Sequence, residues 1–503
     1  MNRFSKMLMG FLVGGVAVVL LQTLGACTDG RVALDQVVRV FGSDLAADPV
    51  DEQALQRFYD TYDVYSSNPE NLRQREHFRD AFRRIRTNYV VETDGVKLVD
   101  AAVKGVVDLQ AKPGSVKPRA VVEAGLDAML ASLDPHSSYL NPDELRESRV
   151  VIRGEFGGLG IEVTLEDGLV KVVSPIEDTP AFRAGIQTGD RISRIDNQPI
   201  KGKTLSEAVK LMRGRPGEAI VLTVLRDGVA PFDVRIVRAV IQVRSVRWRM
   251  EGDIAYVRIT SFTQKVEPML KKAFAGVKKR AGDKLKGVVL DLRNNPGGLL
   301  HQSLFVSDSF LDSGTIVSVR ERDAGRNRVF SAKTGDLSNG VPMVVLINEG
   351  SASASEIVAG ALRDQNRAVI MGRRSFGKGS VQTIQPLALE GGLRLTTARY
   401  YAPSGHTIQA QGVGPDIILQ RRVRGGDKKS QKLIREADLP GALDGDAVAE
   451  KPARAAVDRN VCPKAGPKGD DLELGCALAY LRAGTLAAFL NIIPLEVTAS
   501  PQL

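Results

Sequence analysis

The spacing of hydrophobic residues changes several times along the chain, and each change marks a different kind of element. The first apolar run is continuous: residues 7–24 hold no charge, and Arg3 and Lys6 stand just ahead of it. From 51 to 143 apolar positions recur three to four apart, the period of one helix face. Residues 71–86 place Leu72, Phe78, Phe82 and Ile85 on such a face, with charges elsewhere. Further helices are predicted over 96–109 and 119–133, with the breaker at 112–118 between them. From 150 to 239 the pattern shortens to strand-like alternation punctuated by glycines, with strands at 157–163, 169–173 and 219–225 and a helix at 206–212. From 240 to 420 short continuous apolar runs alternate with helical stretches. The strands fall at 254–259, 287–292, 341–348 and 368–371, and the helices at 269–279, 300–311 and 355–362. Such runs imply α/β layers. After Arg421 the chain is charged and rich in Gly, Pro and Ala as far as Gly469, the composition of a mobile linker, and a last amphipathic helix is predicted over 472–490.

These changes divide the 503 residues into five parts. They are a leader (1–27), a helical N-terminal region (28–149), a β-rich domain (150–239), an α/β core (240–420), and a linker with a C-terminal helix (421–503).

Composition adds the compartment. A basic segment, an apolar run and the small residues of Leu24-Gly25-Ala26-Cys27 together make a secretion leader. The same four residues resemble the lipobox of bacterial lipoproteins, in which Cys27 would carry the lipid. The run is also long enough to stay as a membrane anchor. The expected location is therefore exported, periplasmic and membrane-associated. The formal net charge is +10, but the basic residues are scattered and show no basic-aromatic patch or nucleic-acid-binding spacing. The expectation is solubility and weak attraction to anionic surfaces, with no nucleic-acid partner. Apart from Cys27 the cysteines are Cys462 and Cys476, for which a disulfide and two thiols both fit the spacing. No cluster has metal-ligand spacing and no phosphate loop is present, so neither metal nor cofactor is expected.

The run Pro180-Ala-Phe-Arg-Ala-Gly-Ile-Gln-Thr-Gly-Asp190, following Gly157-Gly-Leu-Gly-Ile-Glu-Val163, gives the β-rich domain a specific signature. It resembles a PDZ domain. That resemblance implies that a peptide adds as a strand to the edge beginning at Ile161, while the amides of Gly158, Leu159 and Gly160 hold its C-terminal carboxylate.

Chemistry concentrates in three segments of the core. Residues 344–357 run from an apolar strand through Ser351, Ser353 and Ser355 into a helix, which exposes a hydroxyl at a strand-to-helix corner. Residues 375–382 place Lys378 between glycines in a segment with no other charge. A lysine can take a serine's proton only if its amine is held neutral. The turn Arg293-Asn-Asn-Pro-Gly-Gly298 follows another strand, and sites in α/β sheets gather beyond strand C-termini.

In order and spacing these segments, with Asp134-Pro-His-Ser-Ser-Tyr139 ahead of them, resemble the C-terminal processing peptidases. These are serine peptidases that join a PDZ domain to a crotonase-like α/β core. The resemblance runs from about Leu130 to Asp416. It implies Ser353 as nucleophile, Lys378 as general base 25 residues on, and Gln382 orienting the lysine. The amide of Ala354 with that of Gly297 or Gly298 would form the oxyanion hole. Strand parity independently sets 378 and 382 on one face. Ser355 is expected as the helix N-cap, His136 as the support of a turn, Asp364 as structural, and His301 as the reserve base. The implied function is an exported endopeptidase that acts on the C-terminal tails of cell-envelope proteins. It would use no cofactor, contact the membrane through its leader or a lipid, and form a homo-oligomer, with an adaptor protein among its partners. The alternatives are a catalytically silent PDZ scaffold and, by fold analogy alone, a crotonase-type acyl-CoA enzyme. An exported chain meets no CoA, which disfavours the last.

Overall fold

A computed structural model describes residues 49–176, 178–242, 244–420, 434–446 and 452–493. The leader, Cys27 and the arginine and lysine runs after Gln420 lie outside the described residues. No helix among the described residues is long and apolar enough to cross a membrane.

Four helices open the chain: α1 (Pro49–Tyr65), α2 (Leu72–Asn88), α3 (Gly95–Val107) and α4 (Pro118–Ala131). Their apolar faces meet in one cluster, where Phe58 stacks on Phe78 at 3.5 Å. Of the expected α2 face, Phe78, Phe82 and Ile85 are buried, but Leu72 opens the helix and is 60% exposed. The short strand β1 (Ser138–Leu140) follows, then α5 (Pro142–Arg153). Helix α5 starts at an Asn141–Glu144 capping box and ends at a left-handed Gly154, so helix continues past the expected boundary at 150.

The next domain contains β2 (Glu155–Gly158), β3 (Ile161–Glu166), β4 (Leu169–Pro175), α6 (Pro180–Arg183), β5 (Arg191–Ile195), β6 (Gln198–Pro199), α7 (Leu205–Met212), β7 (Ala219–Leu225), β8 (Phe232–Val237) and β9 (Ala239–Gln242). Its main sheet runs β3-β4-β5-β7-β8 with β6 beside β5, so β3 is an edge strand. Strand β2 pairs instead with β9 and ties the two ends of the domain together.

The core follows with β10 (Val246–Glu251), β11 (Ile254–Ile259), α8 (Val266–Ala281), β12 (Gly287–Asp291), α9 (Leu300–Asp308), β13 (Thr315–Glu321), β14 (Arg328–Ser331), β15 (Met343–Ile347), α10 (Ala354–Asp364), β16 (Val369–Gly372), β17 (Ser380–Pro386), β18 (Gly392–Tyr401) and β19 (Ile417–Gln420). The last elements are β20 (Ala455–Asp458), α11 (Leu472–Ala483) and α12 (Leu486–Ile492). Seven strands, β10-β11-β12-β15-β16-β19-β20, form the central sheet, which is parallel from β11 onward. Every residue of β12 and β15 is buried, as continuous apolar strands covered on both faces require. One face packs on α8, α9 and α10 through residues such as Leu270, Val306 and Val358. The other packs on α11 and α12 through Leu474, Leu478 and Phe489. A second sheet, β1-β18-β13-β14 with β17 against β18, meets the N-terminal helices at Leu393 and Leu395.

Two expectations are corrected here. The segment after Arg421 is not wholly a linker: residues 434–446 dock on the core, and β20 extends the central sheet in parallel beside β19. The single C-terminal helix is two, because Gly484 takes a left-handed conformation and ends α11. Cys462 and Cys476 are joined by a disulfide, with Cα atoms 5.1 Å apart, on the covered face of the sheet.

Candidate active site

Strand β15 delivers the chain to a sharp corner. Ser351 is fully buried; its hydroxyl donates to the Leu292 carbonyl at 2.8 Å and accepts from the Asn348 amide at 3.0 Å. Ser355 is buried too and donates to the Asn295 carbonyl at 2.9 Å. Both outer serines thus stitch this corner to the turn after β12. Ser353 lies between them at φ +54° and ψ −113°, a region that costs a non-glycine residue about 1–3 kcal/mol. It is the N-cap of α10, the role expected of Ser355, which is already the second residue of the helix. Three bonds over-determine the strained residue. Its N–H donates to Glu356 Oε2 at 2.6 Å, its carbonyl accepts from Ile357 at 3.0 Å, and the preceding Ala352 N–H donates to the Asn295 carbonyl at 3.0 Å.

Glu356 is a buried hub. Its carboxylate accepts from the N–H groups of Ser353, Gly377 (2.7 Å) and Lys378 (2.9 Å) and from the Ser375 hydroxyl (2.6 Å). One oxygen, Oε2, therefore holds the backbones of Ser353 and Lys378 together. Burial pushes the Glu356 carboxyl up to about 7 against the opposing pull of these four donors. The lysine loop needs its glycines for space: a Cβ on Gly379 would lie 2.1 Å from the Gln409 amide nitrogen.

The turn after β12 closes against the corner from the other side. A Cβ on Gly297, which sits at φ +99°, would lie 2.9 Å from Ser353 Cβ and 3.0 Å from the Ala354 nitrogen. The Gly297 N–H is already committed to Asn295 Oδ1 at 2.9 Å, whereas no hydrogen bond joins the Gly298 N–H to a described residue. Arg293, at the start of the turn, donates to Asp291, Asp471 and Glu473, so the N-terminus of α11 braces the turn electrostatically.

The side chain of Lys378 leads to His136, expected only to support a turn, and beyond it to Glu436, which no sequence motif marks. Its Nζ lies 3.2 Å from His136 Nδ1, and His136 Nε2 lies 2.8 Å from Glu436 Oε2. Burial is the largest influence on the amine and draws its pKa below the ordinary lysine value. The neighbouring segment has no acidic residue, but the fold brings Glu436, Asp134 and Glu356 near, and they oppose that shift; Arg394 reinforces it. The turn expected of His136 is supported by Asp134, whose Oδ1 accepts from the His136 N–H at 2.8 Å, and this leaves the imidazole free for Lys378. The Gln382 amide nitrogen donates to Ser380 Oγ at 3.0 Å and Thr396 Oγ1 at 3.2 Å. A bulge between Val381 and Gln382 breaks the strand parity that set 378 and 382 on one face. His301 is exposed at the start of α9, and Asp364 accepts from the Ser404 N–H and hydroxyl, away from the corner.

In the β-rich domain Leu159 is buried and its carbonyl accepts from Ala181 at 2.9 Å. Gly160 accepts from the Ile176 N–H and the Thr179 hydroxyl, and Ile161 opens the edge strand β3. Gly158 differs from the expected turn, being the last residue of β2 and paired with Ala239.

Comparison with known proteins identifies the family. Residues 157–231 match the PDZ domain family and residues 253–419 match peptidase family S41. A carboxy-terminal-processing protease of Bartonella bacilliformis is 46% identical over 85% of this chain and 93% of its own length. A carboxy-terminal processing protease of Bacillus subtilis is 33% identical over 67% of each chain. Among solved structures, a photosystem II D1 C-terminal processing protease is 29% identical, with a TM-score of 0.45, over 69% of this chain and 93% of its own. The chain belongs to peptidase family S41, as a PDZ-bearing serine protease of the carboxy-terminal-processing type.

Proposed function

We propose that the protein is an exported endopeptidase that cleaves cell-envelope proteins with a Ser353–Lys378 dyad, engaging their C-terminal tails through the PDZ domain. The observation that carries the reading is the corner itself: a strained serine at a helix N-terminus and a desolvated lysine share one buried carboxylate oxygen. Ser353 Oγ attacks the scissile carbonyl while Lys378 Nζ takes its proton. Lys378 then returns that proton to the leaving amine, and water repeats the cycle on the acyl-enzyme. The amides of Ala354 and Gly298 suit the oxyanion, since the Gly297 amide is already spent on Asn295. Gln382 keeps its assigned role of orienting the base, although its side-chain nitrogen is bonded to Ser380 and Thr396 and no hydrogen bond joins it to Lys378 among the described residues.

Tail recognition is supported by the edge strand β3 and the turn Leu159–Gly160 ahead of it. Strand addition along β3 supplies main-chain bonds, and free amides at the turn suit a carboxylate. Deleting 150–239 is expected to change which substrates are cut, not merely how fast. The measurement is cleavage of matched peptides with free and amidated C-termini; identical preference in both proteins would remove the PDZ domain from recognition. A wild-type protein that binds free-tailed peptides and hydrolyses none would favour the silent scaffold.

Export and membrane association rest on the leader. Cys27→Ser is expected to release the protein from membranes and to remove a lipid-modified N-terminal peptide from its mass spectrum. Persistence of residues 1–26 on a membrane-bound protein would identify the apolar run as a retained anchor instead. Adaptor binding and self-association are part of the same proposal, and size-exclusion chromatography with light scattering tests the latter, with a monomer at all concentrations as the contrary result.

A further inference from the structure

Lys378 ends on a built relay. Glu436 is 1% exposed, and three contacts dock its segment on the lysine loop. Its N–H donates to the Phe376 carbonyl at 3.2 Å, its Oε1 accepts from Gln409 Nε2 at 3.0 Å, and Gln409 Oε1 accepts from the Gly379 N–H at 3.0 Å. A carboxylate facing His136 Nε2 can only accept, so the ring proton sits on Nε2 and the Nδ1 lone pair faces Lys378.

We propose that His136, fixed by Glu436, is a positioning residue for Lys378: it accepts one N–H of the amine and so aims the nitrogen's lone pair at Ser353. The inference rests on the Ser353–Lys378 reading above. A neutral amine has two N–H bonds and one lone pair, and among the described residues the hydrogen bond found at Nζ is the one to His136 Nδ1. Committing one N–H to Nδ1 selects the rotamers that present the lone pair to the hydroxyl. When the Ser353 proton moves to Nζ the nitrogen becomes an ammonium, which keeps its bond to Nδ1. The Glu436 charge, relayed through the Nε2–H, then stabilises the developing cation. The proton never leaves Nζ for the ring. This is the orienting logic of a catalytic triad applied to a lysine base.

Other charged groups around Lys378 come from separate elements: Arg394 on β18, Asp134 ahead of β1 and Glu356 in α10. The test keeps all three intact. Steady-state cleavage of an unstructured peptide is measured from pH 5 to 10 for the wild type, His136→Leu, His136→Asn, Glu436→Gln and Lys378→Ala. His136→Leu is expected to lower kcat about 10- to 100-fold with KM unchanged, the range that loss of an outer-shell partner costs at metal sites. His136→Asn keeps an acceptor near the Nδ1 position and should recover most of that loss. Glu436→Gln should lower kcat and also move the alkaline-rising limb to lower pH, because the charge that helps hold the proton on Lys378 is gone. A merely structural role does not predict the rescue. Wild-type or higher kcat in His136→Leu, or an unmoved limb in Glu436→Gln, overturns the proposal; if His136→Leu fails to fold, His136→Asn decides, a kcat as low as that of Lys378→Ala overturning it. An active Lys378→Ala would refute the dyad itself, whereas a dead Lys378→Ala beside an unimpaired His136→Leu refutes only the relay.

Discussion

Ser353→Ala is expected to abolish peptide cleavage, by at least about 10⁴-fold in kcat, as when other serine proteases lose their nucleophile. Ser351→Ala and Ser355→Ala should each leave a measurable fraction. The difference follows from what the three hydroxyls touch. Those of Ser351 and Ser355 are buried and donate to the carbonyls of Leu292 and Asn295, each of which also accepts from a backbone N–H, so losing either hydroxyl removes one buried hydrogen bond, at about 0.5–1.5 kcal/mol, and losing that of Ser351 also strips the Asn348 N–H of its acceptor. Activity then falls through a loosened turn, and the melting temperature falls with it. Ser353 instead is held in its strained conformation by backbone bonds, to Glu356 and from Ile357, that an alanine would keep. Its substitution should therefore remove the reaction without removing the fold. Peptide cleavage, labelling by a fluorophosphonate and thermal unfolding on the three variants separate these effects. A purified Ser353→Ala protein with full activity would sink the assignment, and so would labelling that persists in it.

What the sequence could reveal depended on how local each feature is. Strands β7 and β11 begin and end where their largely apolar runs do, and the polar residues inside them, Thr223 and Arg258, take half-buried positions. The Ser353 corner was legible as a local run too: a buried strand, small residues and a helix follow one another without interruption. The cap was not, since three serines in five residues offer the same side chain and only the backbone at φ +54° distinguishes one. Parity failed at Gln382 because one bulge reverses a strand's faces, and no residue type announces it there. The relay to Lys378 was the least legible part. His136 is 242 residues from Lys378 and 300 from Glu436 in sequence, and Glu436 sits in a stretch with the composition of a linker. Charge-rich composition describes a segment's average, whereas a single buried carboxylate depends on one partner that the fold supplies. The brace from Asp471 and Glu473 to Arg293 escaped notice likewise, 178 and 180 residues away.

Activity is expected to rise with pH through a single depressed lysine pKa and then to plateau on the alkaline side, with Lys378→Arg as inactive as Lys378→Ala. An unperturbed lysine titrates near about 10.4 and would be almost wholly protonated at neutral pH. Around Lys378 burial dominates and disfavours the charged form, so the folded pKa lies below that value even though Glu436, Asp134 and Glu356 pull it back. The base-competent form is the neutral one. It accumulates as pH rises through the folded pKa, and on the acid side of that point the rate should fall about tenfold per pH unit. Stability carries the same sign: folding favours loss of the proton, so the contribution of Lys378 is complete above the unfolded pKa and fades as pH falls through the folded one. Arginine keeps the charge and the length but cannot be deprotonated in this range, so it cannot take the Ser353 proton at any pH tested. His301→Ala should retain activity, since that ring is exposed at the start of α9. The contrary outcome has a clear candidate. A Lys378→Arg enzyme that survives, with a limb near the unperturbed histidine value of about 6.5, would transfer the base to His136, whose Nδ1 lies 3.2 Å from the lysine amine.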